Sequence, residues 1–553
     1  VIYSLARGLA FALSVLLAAY AGGSVAAAPG AQKPEAGTAM PIQHLVVIYQ
    51  ENASFDRYFA SYPAALNPPG EPPFHARPDT PAINGLTEPL RTRNPNLAQP
   101  FRFKRTQAFT CDMNHDYTSE QKSYHAGLLD QFVEATEGNP SDARQTCPRD
   151  EQGRYIAVMG HFDGNTVTAL WHYAQHFAIS DNHFAAMFGE STRGALNLVA
   201  GDVFGAVCGP PGYIKAARGF VIEGETPPCG DPVDSTAIPA PTNGVIGTLV
   251  DDGDPYWDIC STREAYPFPV VAMSGRNVGD LLNDAGVTWG WFQDGFALGP
   301  NGECYPTSHV LEAFDRATGL DPATDTNVLQ DYVPHHNPFQ YYPSTANPRH
   351  LAPSSLEMVG RQDQANHQYD LSWFWRAAES GHLPAVSFLK ARQSQDGHPG
   401  TSNPLDEQVF LVETLNRLQR LPEWEQMAVI IAWDDSDGWY DHVMPPLINH
   451  SATELDHGCG TITQGPPGRC GYGPRLPLLL ISPWARENYV SHAISDQTSI
   501  LRFIEDTWLG GRRVSPISFD NFAGSLADMF DFTRPKPRRL ILDPETGLVM
   551  SRP

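Results

Sequence analysis

Apolar residues along this chain gather in short unbroken runs. The clearest are "LVVIY" (45–49), "AVSFL" (385–389), "MAVIIAW" (427–433) and "LPLLLIS" (476–482). None alternates with polar residues as a half-exposed strand would, so each reads as a strand covered on both faces, the pattern of a parallel sheet. Helical spacing appears between them, in "TVTALWHYAQHF" (166–177) and "DEQVFLVETLNRLQRL" (406–421). In the latter, Val409, Leu411, Val412, Leu415, Leu418 and Leu421 recur on one face. Strands separated by helices predict an α/β fold with a central, mostly parallel sheet flanked by helices.

The stretches between these elements divide the chain further. Residues 63–100 are rich in Pro, Asn and charge, and 203–280 hold Cys208, Cys229, Cys260 and many Gly and Pro. Both read as loop or cap insertions in a single catalytic domain spanning 41–532, with 533–553 as a peripheral tail. The 49 prolines and 47 glycines fit long loops of this kind. At the other end, Arg7 precedes an apolar run from Gly8 to Tyr20, and "SVAAA" supplies small residues. This predicts a signal peptide over 1–27, cleaved after Ala27, followed by a linker over 28–40. The run is short for a membrane span, which leaves an uncleaved anchor as the alternative; no stable span is expected after cleavage.

Charge narrows the partners. The net charge is -25 at pH 7, and losing Arg7 makes it -26. Such a surface repels nucleic acid and anionic membranes. The eight cysteines are an even number, Cys111, Cys147, Cys208, Cys229, Cys260, Cys304, Cys459 and Cys470, without a C-x-x-C pair. That usage fits disulfides and a secreted or periplasmic location. A neighbour pairing such as Cys459 with Cys470 is compatible with the spacing, which does not fix connectivity.

Two strands end in unusual chemistry. "HLVVIYQENASFDRYF" (44–59) turns from a buried run to Gln50, Glu51 and Asn52, and "MAVIIAWDDSDGWYDH" (427–442) turns to Asp434, Asp435, Asp437 and Asp441. Ligands of open α/β sheets sit beyond the carboxyl ends of strands. Glu51 with Asn52 and Asp434 with Asp435 therefore form a candidate set of hard oxygen donors for Mg, Ca, Mn or Fe. The alternative is helix capping and turn formation. Consecutive strand residues face opposite ways, so both members of a pair can ligate only where the strand has bent. "NAS" (52–54) also matches a glycosylation acceptor, in a place poorly suited to one.

In "ISDNHFAAMFGESTRGALNLVAG" (179–201), Ser191 or Thr192 is placed to cap a helix. A hydroxyl there also suits a nucleophile facing an anion. The elbow G-x-S-x-G fails because Arg193 stands at its last position. Histidines in polar loops, His115, His335, His336, His350 and His398, are candidates to clamp phosphate or protonate a leaving group, with a structural role as the alternative.

Together "HLVVIYQENASFDRYF", "FAISDNHFAAMFGESTRGALN", "VTWGWFQDGF", "HHNPFQYY", "STANPRHL", "DGHPGTSNPLDEQ", "AWDDSDGWYDH", "GYGPRLPLLLISPWAR" and "SHAISDQTSILRFIEDTW" resemble the bacterial phosphoesterase family of acid phosphatases and phospholipases C, from about residue 41 to 530. The resemblance implies an alkaline-phosphatase-like fold. It implies one divalent or iron-type metal ion on Glu51, Asn52, Asp434 and Asp435, and Ser191 as the nucleophile. His115, His335, His336 and His398 would line the phosphate pocket; His350 and His492 are further candidates with a structural alternative.

The Ser-Thr pair in "GEST" is similar to the acid phosphatase branch, and the extra C-terminal domains of many phospholipase C members are not expected. Glu190 stands where a proline often precedes the nucleophile. The expected function is an exported, metal-dependent acid phosphatase that hydrolyses phosphomonoesters of small substrates through a phosphoserine intermediate. One alternative is a phospholipase C on phosphatidylcholine-like diesters, with Trp289, Trp291, Phe339, Tyr341 and Tyr342 lining a choline or acyl site or else forming core. Another is an exported protein that binds metal and phosphate without turnover.

Overall fold

The computed structural model describes residues 40–550 except 139, 142, 208–245, 250–251, 262–270, 300–301, 303, 305–330, 449–469 and 537. The expected signal peptide, nearly all of the expected linker, and Cys459 lie outside the described residues.

Among the described residues nine strands make one sheet: β1 (His44–Gln50), β2 (Ala178–Phe184), β3 (Trp289–Gln293), β4 (Gln368–Asp370), β5 (Val386–Lys390), β6 (Met427–Trp433), β7 (Arg475–Ile481), β8 (Tyr489–Ser491) and β9 (Ser495–Asp496). Their order is β8-β2-β7-β6-β1-β5-β3-β4, and β9 also pairs with β2. β7 runs antiparallel to β6 and β2; the other pairings are parallel. The expected α/β architecture is observed, with one correction. "LPLLLIS" is not a parallel strand. Its apolar run reports burial on both faces, which is the same for either direction.

β1 lies between β5 and β6, with Val47 opposite both Phe388 and Ile430. Every residue of β6 is buried, and each large apolar side chain so buried contributes about 1.5–3 kcal/mol. This packing holds the carboxyl ends of β1, β5 and β6 side by side. Pairing continues past the strand ends. Asp434 N donates to Gln50 O (3.1 Å), Glu51 N to Asp396 O (3.0 Å) and Ala53 N to Asp435 O (3.0 Å).

The helices that matter below are α1 (Phe55–Phe59), α2 (Thr168–His176), α3 (Ser191–Ala200), α4 (Leu371–Glu379), α5 (Pro404–Leu418) and α6 (Gln497–Trp508). α5 begins where Asn403 accepts from the backbone amides of Leu405 and Asp406, with Pro404 at its first position. α6 begins on a capping box of Asp496 and Ser499. Within 63–100, Phe74 is buried and Leu66 N donates to Asp163 Oδ2 at 2.9 Å. The tail is less peripheral than its sequence indicated, since Leu540 and Leu542 are buried and their amides donate to Gln419 and Asn416 on the α5 side. Among the described residues no helix is long and apolar enough to cross a membrane.

Candidate active site

Glu51 and Asn52 leave the end of β1 through a sharp bend. Asn52 has φ 54°, a left-handed conformation that Asn tolerates better than most residues. Beyond Asp434 and Asp435, at the end of β6, Asp437 (φ 53°) and Gly438 (φ 69°) turn the chain. Both strand ends are thus bent, as joint ligation requires. Ser54 caps α1 by accepting from Arg57 N at 3.2 Å. Asn52 is fully buried, which removes "NAS" as a sugar acceptor.

A buried arginine clamps the two loops. Arg475 of β7 lies 3.1 Å from Asp56 on α1 and 3.1 Å from Asp441 beyond β6. His442 Nδ1 reaches Asp56 Oδ2 at 2.6 Å. One cation therefore ties the chain after Asn52 to the chain after Asp435.

α3 delivers the hydroxyl. Gly189 (φ 101°) turns the chain against Arg193, Glu190 takes the cap position, and Ser191 is the first helical residue. Gly194 lets the helix approach β6 closely, because a Cβ there would lie 2.1 Å from Asp434 O. Ser191 Oγ lies 3.0 Å from Asp435 Oδ2, 3.2 Å from Glu51 Oε2 and 3.5 Å from Asn52 Oδ1. Three acceptors surround a hydroxyl that owns one proton. Such surplus oxygen is what a hard cation satisfies, so this donor set fits one.

Asp434 is placed differently. Its Oδ1 accepts from the amides of Asn52 (3.1 Å) and Asp435 (2.8 Å), while Oδ2 is 3.6 Å from Lys390 Nζ. Glu190 turns away from the hydroxyl: its Oε2 accepts from Asp252 N at 3.0 Å and lies 3.8 Å from Arg193.

The site is electrostatically crowded. Burial, with Asp434 beside it, pushes the Glu51 carboxyl well above its ordinary range. Burial raises Asp435 as well, helped by Asp434 and Glu120, and raises Asp437. Burial pushes Asp396 up to about 8. Lys390 offsets only part of this at Glu51 and Asp396, and His115 only part of it at Asp435 and Asp437.

The histidines divide into two kinds. Burial works against protonation of His115, but Asp435, Asp437 and Asp112 outweigh it and raise its pKa well above the usual value. His335 is raised against burial by Asp252 and Asp254, at 3.8 and 3.3 Å. Burial lowers His336 and His398, the former aided by Lys390. Nδ1 of His398 donates to Pro399 O at 2.6 Å, leaving Nε2 as its other ring nitrogen. His115 and His398 come together with Asp112 and Asp437, their ligand atoms all within 4.8 Å of one another.

The remaining sequence candidates lie elsewhere. His350 is buried with Asp258 (2.8 Å) and the Phe296 carbonyl (2.7 Å). The exposed His492 pairs with Asp181 at 2.9 Å. Trp289, Trp291, Phe339, Tyr341 and Tyr342 are core. Cys111 pairs with Cys147 and Cys260 with Cys304; the first bridge anchors the segment leading to His115.

Several site residues escaped the sequence reading: Lys390, Asp396, Asp252 and Glu120; Asp437 stood out only as part of the acidic run beyond β6. Glu120 Oε2 accepts from Gly189 N at 2.6 Å and its Oε1 from the Ser436 hydroxyl, bridging the two turns. Lys390 had a readable signal, a lysine closing a fully buried strand of Val, Ser, Phe and Leu.

A profile of the phosphoesterase family matches residues 42–509. The chain is 24% identical to the non-hemolytic phospholipase C of Burkholderia pseudomallei, covering 85% of this chain and 55% of that protein. It is 22% identical to the hemolytic phospholipase C of Pseudomonas aeruginosa, covering 90% and 57%. It is 23% identical to phospholipase C B of Mycobacterium tuberculosis, covering 91% and 80%. The chain thus spans little more than half the length of the first two relatives. With the matched profile running from the first strand of the sheet through the helix that ends at Trp508, this chain belongs to the phosphoesterase family.

Proposed function

We propose that this protein is an exported, metal-dependent phosphatase that hydrolyses phosphomonoesters through a phosphoserine at Ser191. The observation that carries the reading is the place of the Ser191 hydroxyl, first in a helix and within 3.0–3.5 Å of side chains from two strand ends. Glu51, Asn52, Asp434 and Asp435 would hold the ion. A bound Mg, Ca, Mn or Fe ion supplies Lewis-acid stabilisation of negative charge developing at the reacting oxygens.

The chain's own groups do the rest. Asp435 accepts the Ser191 proton as Oγ forms its bond to phosphorus and the bond to the leaving oxygen breaks. The positive end of α3 favours negative charge beside Ser191, with Thr192 N already serving Asp252 at 2.9 Å. The carboxylates around His115 and His335 keep these two protonated, which suits them to hold phosphate oxygens and protonate the leaving group. His336 and His398, kept neutral by burial, suit accepting a proton from the water that attacks phosphoserine. Of the four histidines expected to line the phosphate pocket, His115 and His335 thus suit the charged form and His336 and His398 the neutral one.

A second reading, phosphodiester cleavage of phospholipids, draws on the names of the relatives, all phospholipases C. The test is turnover of p-nitrophenyl phosphate and of phosphatidylcholine vesicles, with and without chelator, by the protein and by Ser191→Ala. Monoester turnover lost on chelation and reduced at least ~10³-fold by Ser191→Ala supports the phosphatase. Turnover of phosphatidylcholine alone favours the diesterase. Full activity of Ser191→Ala contradicts both, and no turnover on either substrate leaves metal and phosphate binding as the function.

A further inference from the structure

Glu51 has two faces. Its Oε2 points to the Ser191 hydroxyl at 3.2 Å. Its Oε1 contacts Lys390 Nζ and lies 3.2 Å from His336 Nδ1. Beside this second face stands Asp396, fully buried, whose Oδ2 makes no hydrogen bond. One ligand atom from each of Glu51, His336 and Asp396 lies within 4.8 Å of the others. Two carboxylate oxygens and an imidazole nitrogen are a donor set that divalent ions accept. It shares Glu51 with the proposed cage, an arrangement that would bridge two ions.

Lys390 stands on this second face of Glu51. It is the last residue of β5, its side chain is 1% exposed, and its Nζ reaches Glu51 and, at 3.6 Å, Asp434 Oδ2. The Tyr49 ring centroid lies 5.6 Å from the ammonium. The register of β5 on β1 fixes the side chain's starting point. An ammonium needs no recruitment from solvent. By sharing an oxygen of Glu51 it repels a second divalent ion from the adjacent donors.

We infer that Lys390 is a built-in counter-ion that occupies the position of a second metal and keeps the centre mononuclear. This rests on the reading that Glu51, Asn52, Asp434 and Asp435 hold one ion. Lys390 acts through Glu51 and is a positioning residue.

The test is metal counting on the full chain, stripped with chelator, reloaded with excess Mn(II) and desalted. Elemental analysis gives ions per chain, and electron paramagnetic resonance separates isolated from exchange-coupled Mn(II). The expected result is one ion and an isolated signal for the native protein and for Lys390→Arg. Lys390→Gln should hold two ions with a coupled signal, and Lys390→Gln with Asp396→Asn should return to one. Two ions on the native protein, or one on a folded Lys390→Gln, overturns the role of Lys390 alone. No ion on the native protein overturns the metal reading and this inference with it. If Lys390→Gln does not fold, the native protein and Lys390→Arg still decide, since a second ion on either is contrary to the proposal.

Discussion

Ser191 Oγ and Asp435 Oδ2 are 3.0 Å apart although 244 residues separate them in sequence. One comes from the start of α3 and the other from the bend after β6. Their approach depends on Gly194, whose missing Cβ leaves room for the Asp434 carbonyl. Gly194→Ala would place a methyl 2.1 Å from that backbone oxygen, and neither partner is a flexible side-chain end. The expected cost is about 1–3 kcal/mol of stability. Displacing the hydroxyl should also lower kcat by roughly 10²-fold. Thermal denaturation and steady-state kinetics check both, and an unchanged kcat would count against the contact.

Arg475 should be one of the most sensitive positions outside the catalytic groups. Its guanidinium faces Asp56 and Asp441 in a fully buried setting. Removing one partner leaves two carboxylates without it, at a cost of about 3–5 kcal/mol. Arg475→Met should therefore lower the denaturant midpoint sharply and weaken metal binding, because the two loops lose their common anchor. A loss of less than about 1 kcal/mol, the range of an exposed pair, would mean the clamp is not what fixes them.

The proton on His335 depends on Asp252 and Asp254. Their charges carry its pKa above the usual value against burial, so the imidazolium persists to higher pH than an ordinary histidine allows. Asp252→Asn removes the largest single one of these raising influences, and the pKa should fall. The alkaline limb of the kcat/KM profile should then move to lower pH. Asp252 also accepts from Thr192 N at 2.9 Å, so the overall rate should change as well, but only loss of the charge moves the limb. An unmoved limb would take His335 out of the protonated set.

Stability should also depend on Glu407 of α5. Burial pushes its carboxyl up to about 8, against hydrogen bonds that lower it; the Tyr58 hydroxyl donates to it at 2.9 Å. A group raised on folding stabilises fully below its unfolded value, here 4.5. That contribution is lost as pH rises through about 8. Glu407→Gln keeps the shape without the proton. Its melting temperature should fall less than the native protein's between about pH 5 and about pH 8, a window bracketed by these two values. Parallel curves would show that Glu407 does not titrate there.

The strands most legible in sequence were those buried on both faces, where nothing interrupts the apolar run. β2 escaped because it carries Ser180, Asp181, Asn182 and His183. Its polar residues are served from outside the strand, Asp181 by Asn84 N at 2.7 Å and His183 by the Ser495 hydroxyl at 3.1 Å. No pattern within seven residues reports such partners. At the site, Glu51, Asn52, Asp434 and Ser191 were readable because they end strands or start a helix. Asp396 and Asp252 sit in loops whose sequence looks like any turn, and only folding brings them beside His336 and His335. The direction of β7 was invisible for a different reason, since burial is blind to strand polarity.

The central claim is that Ser191 carries the phosphoryl group. Native protein turning over p-nitrophenyl phosphate is quenched in acid, digested and examined by mass spectrometry across the 179–201 segment. The account predicts a phosphoryl adduct on Ser191, formed during turnover and absent when chelator has removed the metal. Sustained turnover with no adduct there, and with Ser191→Ala still active, would contradict it.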